Sequence, residues 1–341
     1  MKKQVELPLV EPLYSSYHYQ GPGTSIIANN QSIRNWYLNQ AVSLICGRRF
    51  INGYTSPEVS VKNSLWSANP HFEIHRFTSR FTKKFTNQII KEFLDNNYYV
   101  TFSGVDDYYV QGKSWYKQRH FNHDGMICGY DEDKKTYSLY AYDENWMYKR
   151  FLTPQRNFNL GRISMEKEGV YTTFCAVKAN NDIVVFSPKT ACENIKEYLD
   201  SNMEKYSICG PGCVYGIVVH EYVAMYLDKL YDGSIPYERM DRRVFRLIWE
   251  HKKAMLERIE KIEQELNLGD EISKKYQLLV YEADTMRMLY ASHHMKRRDS
   301  VLPIMKKKLL KLMDQEKKLL TLLVEKTGGR SENDAVGISK E

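Results

Sequence analysis

Residues 117–148 read KQRHFNHDGMICGYDEDKKTYSLYAYDENWMY, and the fold of the first half of the chain turns on them. His120 to Tyr130 and Thr136 to Asp143 are strand-like, rich in aromatic and aliphatic residues. The run Asp131-Glu132-Asp133-Lys134-Lys135 between them has nothing apolar to bury and reads as a turn. A hairpin symmetric about Asp133 sets Asp143 opposite His123. Opposed residues on an antiparallel ladder share a face with Cβ atoms roughly 4.5–5.5 Å apart. At that distance a carboxylate can accept from imidazole Nδ1 and fix its tautomer. The expectation is a His123–Asp143 pair serving a nucleophilic site; the competing structural reading is a one-residue bulge that sends the two side chains to opposite faces.

Upstream, aromatic residues lead into Gly21-Pro22-Gly23, and Thr24 or Ser25 caps a helical pattern, SIIANN. A second helix is predicted over 32–46 and a third over 85–96, with residues 50–85 irregular. A buried strand follows at 98–103, and then a tyrosine-rich loop, DDYYVQGKSWY, in which Asp106 and Asp107 read as solvated, with binding of a substrate amine the alternative. Strands are predicted at 148–152, 171–177 and 183–186. The expected class is α+β with an antiparallel sheet, ending near residue 187. From Pro188 the pattern is helical to 327, with long helices over 239–266, 270–298 and 300–326. Their short breaks make them antiparallel neighbours. Residues 328–341 form a polar tail with no apolar content to order it.

A net charge of +7 and 26 tyrosines suit a wet cleft or an acidic partner better than nucleic acid, since no basic tract interleaves with aromatics. No apolar run approaches a membrane span and the N-terminus lacks the core of a signal peptide, so the expected setting is cytoplasmic, without membrane contact. The six cysteines (46, 128, 175, 192, 209 and 213) are scattered as buried free thiols are. Cys209 and Cys213, four apart, do not make a metal site, and neither metal nor cofactor is expected.

The segments YSSYHYQGPGTSIIANN and FNHDGMICGYDEDKKTYSLYAYDENW resemble the N-terminal domain of the butirosin biosynthesis protein H family, papain-fold proteins of bacterial natural-product clusters. C39-type peptidases share the His…Gly-Tyr-Asp element. The resemblance covers roughly residues 10–190 and implies a papain-like domain over 1–187. It implies amide-bond formation: an acyl group moves from a carrier-protein thioester to a small-molecule amine, with His123 as general base and acid and Asp143 as its orienter. Its nucleophile would be a Cys at the start of the first helix, where this chain has none before Cys46. Three readings stay open: Ser25 or Thr24 as nucleophile; Ala28 or Ser25 standing where a Cys was replaced; or a natural, non-catalytic homologue that binds a metabolite or carrier protein.

Overall fold

The computed structural model describes residues 2–17, 20–26, 31–53, 55–201 and 212–328, with the backbone alone at Trp66. Ala28, Cys209 and the tail at 329–341 lie outside the described residues. In chain order the elements are β1 (Gln4–Glu6), α1 (Gly21–Ser25), α2 (Gln31–Gln40), β2 (Leu44–Gly47), β3 (Val59–Val61), β4 (Phe72–Thr78), α3 (Ser79–Thr82), α4 (Thr86–Asp95), β5 (Tyr99–Asp106), β6 (Asn122–Asp131), β7 (Thr136–Tyr142), β8 (Tyr148–Pro154), α5 (Gln155–Lys167), β9 (Thr173–Ala179), α6 (Pro188–Asp200), β10 (Cys213–Tyr215), α7 (Val219–Tyr231), α8 (Arg243–Glu265), α9 (Glu271–Lys296) and α10 (Val301–Gly328). The class is α+β, with an antiparallel sheet and a helical C-terminal region.

Two compact units result. The first comprises residues 1–33 and 65–183, the second residues 34–64 and 184–341. The sequence places residues 34–64 in the first domain; in the structure they join the second unit because β2 pairs with both β3 and β10 in a three-stranded sheet. The helix predicted over 32–46 stops at Gln40. Arg258 of α8, itself buried, donates to the carbonyls of Tyr37, Leu38 and Ala41 and so closes the helix end from outside the local sequence. The β-favouring Leu44-Ile45-Cys46 run is then free to pair.

The first unit is built on a seven-stranded antiparallel sheet in the order β4-β9-β5-β6-β7-β8, with β1 added along β6. β4 runs through the stretch read as irregular, and the strand predicted at 183–186 does not form. β6 from Gly125 to Tyr130 and β7 from Tyr137 to Ala141 are buried on both faces. On one face α5 packs Phe158 edge-on against Phe102 and Tyr137, ring centroids 5.0 and 5.5 Å away.

Three of the strand tyrosines clamp backbone. Tyr142 Oη donates to the Ser15 carbonyl at 2.6 Å, Tyr130 Oη to that of Lys2 at 2.9 Å, and Tyr99 Oη to that of Pro8. These bonds tie the N-terminal segment, and with it α1, to the sheet. In these three, burial of the aromatic body is matched by a partner for its polar tip.

The second unit gathers its helices around charge. Glu316 on α10 is fully buried and meets Lys252 Nζ of α8 at 2.6 Å, Tyr198 Oη of α6 at 2.9 Å and Tyr276 Oη of α9. His220 Nε2 of α7 lies 3.7 Å away. Five helices thus each send one polar side chain to a single point, while Leu302, Met305, Leu309, Leu312, Leu320 and Leu323 supply the apolar seam of α10.

Candidate functional site

The hairpin register bears directly on the predicted pair. Met126 opposes Tyr140 and Ile127 opposes Leu139, as symmetry about Asp133 requires, but a bulge at Cys128 shifts the lower ladder so that Gly129 faces Ser138 and Asp131 faces Thr136. The β6–β7 ladder ends at Met126↔Tyr140, before it reaches His123. β7 stops at Tyr142, and Asp143 opens a turn: its carbonyl accepts from Trp146 N at 3.1 Å and its N–H donates to the Met147 carbonyl at 3.0 Å. The Asp143 carboxylate accepts from the N–H groups of Asn145 and Met147 (2.9 and 2.8 Å) and pairs with Lys149 at 2.7 Å. Burial would raise this carboxyl, but Lys149 and the two amides hold it below the usual carboxylate range. Asp143 is a turn cap and not the orienter of His123.

His123 is oriented from the other side. It opposes Val105 on β5, past a bulge made at Gly104, whose φ of +91° suits glycine. Asp107 follows directly after β5, and its N–H donates to the Phe121 carbonyl at 2.9 Å, which continues the same ladder. Asp107 and His123 are therefore diagonal neighbours, and Asp107 Oδ2 stands 2.7 Å from His123 Nδ1. An ionised carboxylate can only accept, so Nδ1 carries the hydrogen and Nε2 is the basic nitrogen. Asp107 is enclosed; His123 keeps 17 % of its side chain exposed.

Lys113, from the loop between β5 and β6, is buried with them. Its Nζ lies 3.3 Å from the Asp124 carbonyl, 3.6 Å from Asp107 Oδ1 and 3.3 Å from His123 Nδ1. Burial lowers this lysine from its ordinary value, while Asp107 and Asp124 oppose the shift. The Asp124 carboxylate, 3.9 Å from His123 Nε2, is pushed up by burial against the pull of His123 and Lys113. Two acids and one ammonium therefore surround one imidazole. A second cluster lies alongside: Asp106 accepts from His120 Nδ1 at 2.7 Å, from Ser164 Oγ at 2.9 Å and from the Phe121 and Tyr108 amides. Ser164 bonds the carboxylate and not the imidazole, so this is an anchored loop and not a triad. Both aspartates, read as solvated in the sequence, are buried.

Neither hydroxyl considered as a nucleophile is presented to His123. Ser25 is the last residue of α1, fully buried, and its Oγ donates to the Gly21 carbonyl at 2.7 Å and contacts the Tyr140 hydroxyl. Thr24 Oγ1 is spent on the carbonyls of Tyr14, Gln20 and Gly21. The start of α1 is covered by Tyr148, whose ring would be struck by any Cβ at position 21. Cys46 is buried in β2, its thiol pushed up to about 12 by burial and by Cys213, and it cannot supply a thiolate.

An aromatic strip runs outward from the imidazole. Phe121 lies edge-on to His123 (5.1 Å), Trp115 is 6.3 Å from Phe121, and Trp146 meets Trp115 at 6.1 Å. Trp146 holds φ +59°, a left-handed backbone that the Asp143 turn imposes. Among the described residues no group of three or more His, Cys, Asp and Glu could hold a metal ion, and no helix is long and apolar enough to cross a membrane.

Asp107 and Lys113 are the residues that sequence reasoning missed. The signal was faint: a lysine inside a tyrosine-rich loop, and an acid sixteen positions before the histidine. Comparison of the chain with family models and with curated proteins returned no match.

Proposed function

We propose that the first unit is an acyl-transfer site in which His123 Nε2 acts directly on the acceptor. An amine attacks the carbonyl carbon of a carrier-borne thioester; the N–C bond forms and the C–S bond breaks. The amine proton passes to Nε2 and from there to the departing thiolate, giving amide and free thiol. Thioester aminolysis needs no covalent intermediate on the protein, so a buried Ser25 is no obstacle. The observation that carries this reading is the 2.7 Å contact between Asp107 and His123, which fixes the tautomer a general base needs. The strip Phe121–Trp115–Trp146 offers the acyl chain an apolar surface beside that base, and the net charge of +7 suits an acidic carrier protein. A papain-like arrangement of the unit and a cytoplasmic setting belong to the same proposal.

One observation favours a second reading, a homologue that binds a metabolite or carrier protein without turnover. The Lys113 ammonium beside Asp107 offsets the negative charge that would stabilise an imidazolium. Incubation with an acyl-pantetheine thioester and primary amines, followed by mass spectrometry of small molecules and intact protein, separates the two. Amide formed above the buffer rate, abolished in His123→Ala with no acyl mass on the protein, is expected. Saturable thioester binding with no amide would establish the second reading in its place.

A further inference from the structure

In the second unit a cavity of ≈440 Å³ opens between the end of α7 with the segment that follows it, residues 230–238, and the end of α9 with the residues just beyond it. Such a volume falls within the range of small-ligand sites, roughly 300–1,000 Å³. Three carboxylates line it, those of Asp232, Glu238 and Asp299, against one guanidinium, that of Arg297. Arg297 is already matched: it pairs with Glu238 at 2.7 Å and lies over the Tyr237 ring at 4.2 Å. Asp232 accepts from Ser234 N at 2.8 Å and has Lys229 nearby, which leaves Asp299 as the carboxylate that faces the space beside His293. The carbonyls of His293 and His294, in the last turn of a 26-residue helix, stand at its edge and take the Tyr237 hydroxyl. The end of so long a helix adds negative potential.

A second, independent feature points the same way. His293 lines the cavity and is 1 % exposed, yet its Nδ1 has no hydrogen-bond partner. Asp299 Oδ1 lies 3.8 Å from it, beyond hydrogen-bonding reach. A buried ring nitrogen left unsatisfied is a cost to the fold that a bound donor would remove. A single donor nitrogen ~2.9 Å from each atom would satisfy both at once, the distance typical of N–H···O bonds. An ammonium has three such donors and no acceptor.

We propose that this cavity binds an organic cation, a primary alkylammonium whose –NH₃⁺ bridges His293 Nδ1 and Asp299 while its methylenes lie along Tyr231, Ile235 and Pro236. A carboxylate or phosphate is disfavoured by the excess of acids over the one guanidinium in the lining, and an inorganic cation would leave the apolar wall unused. The site is independent of the acyl-transfer reading.

Isothermal titration of the full chain with 1,4-diaminobutane, with 1-butanol and magnesium chloride as controls, tests it. Expected is one saturable site for the diamine alone, weakened about tenfold or more in Asp299→Asn and in His293→Leu. Asp299 is 65 % exposed in its side chain, so its variant folds even should the histidine variant fail. Absence of saturable binding at millimolar diamine, equal affinity in Asp299→Asn, or tighter binding of magnesium overturns the proposal.

Discussion

Asp107 Oδ2 and His123 Nδ1 stand 2.7 Å apart across the β5–β6 ladder, while Asp143, the nearer acid by hairpin symmetry, faces Lys149. The two acids therefore have separable roles. Asp107→Asn keeps the volume but loses the charge and the tautomer lock, so amide formation should fall about 10²–10⁴-fold. Asp143→Asn should lower it far less. Rates for the two variants, measured on protein of matched melting temperature, check this; equal losses would return Asp143 to the site.

The turn at 143–147 gives the second prediction. Asp143→Ala removes a buried acceptor from two amides and a lysine, at about 1–3 kcal/mol. Trp146, held at φ +59°, should relax, and with it the packing on Trp115. Trp fluorescence should change while the NMR signals of His123 stay in place. A shift at His123 of the size seen in Asp107→Asn would contradict the assignment.

Gly21 is required by Tyr148, because a Cβ there would overlap the ring. Gly21→Ala should cost about 1–3 kcal/mol by overpacking. Combining it with Tyr148→Ala should cost less than the sum of the single changes. Denaturant titration of the four proteins gives the coupling, and strict additivity would mean that the two residues do not meet.

Lys252 and Glu316 are both fully buried, 2.6 Å apart. Glu316→Gln strands an ammonium in the helical core and should cost about 3–5 kcal/mol, whereas Lys252→Met with Glu316→Leu should recover much of that. Denaturant midpoints decide it; a double variant weaker than both singles would point to a polar network that apolar packing cannot replace.

Acid should weaken the same cluster. Burial alone would raise Glu316, but Lys252, His220 and His251 take it down to about 2 from 4.5. Its contribution is full above 4.5 and is lost as pH falls toward 2. His220 is taken down to about 4 from 6.5, first by burial and then by Lys252. The unfolded chain then binds a proton below 6.5 that the folded one refuses until about 4, so stability drops across that window too. Thermal melts should fall from pH 6.5 downward, and more shallowly between 6.5 and 4 in His220→Gln. An unchanged slope would remove His220 from the account.

The division between local and tertiary information follows particular residues. Local pattern sufficed where a residue answers to its own neighbours in the chain. The hairpin at 120–143, with its symmetric upper register, and the helix starting at Ser187-Pro188 both follow from period and capping. Ser187 Oγ duly accepts from Thr190 N at 3.1 Å. The strand at 72–78 escaped because an edge strand need not be apolar, and α2 ran short because its stop signal is Arg258, more than two hundred residues away.

The amino-acid sequence by itself determined the α+β class and singled out His123 as the imidazole on the hairpin. Tertiary structure alone decided which carboxylate holds that imidazole. The choice between Asp107 and Asp143 depends on where β6 leaves one neighbour and continues along the other, on bulges at Gly104 and Cys128, and on a lysine folded in from a loop. Each is a matter of one or two residues of register. A one-residue shift moves a side chain to the other face of a strand, and only the packing of all the strands together fixes it.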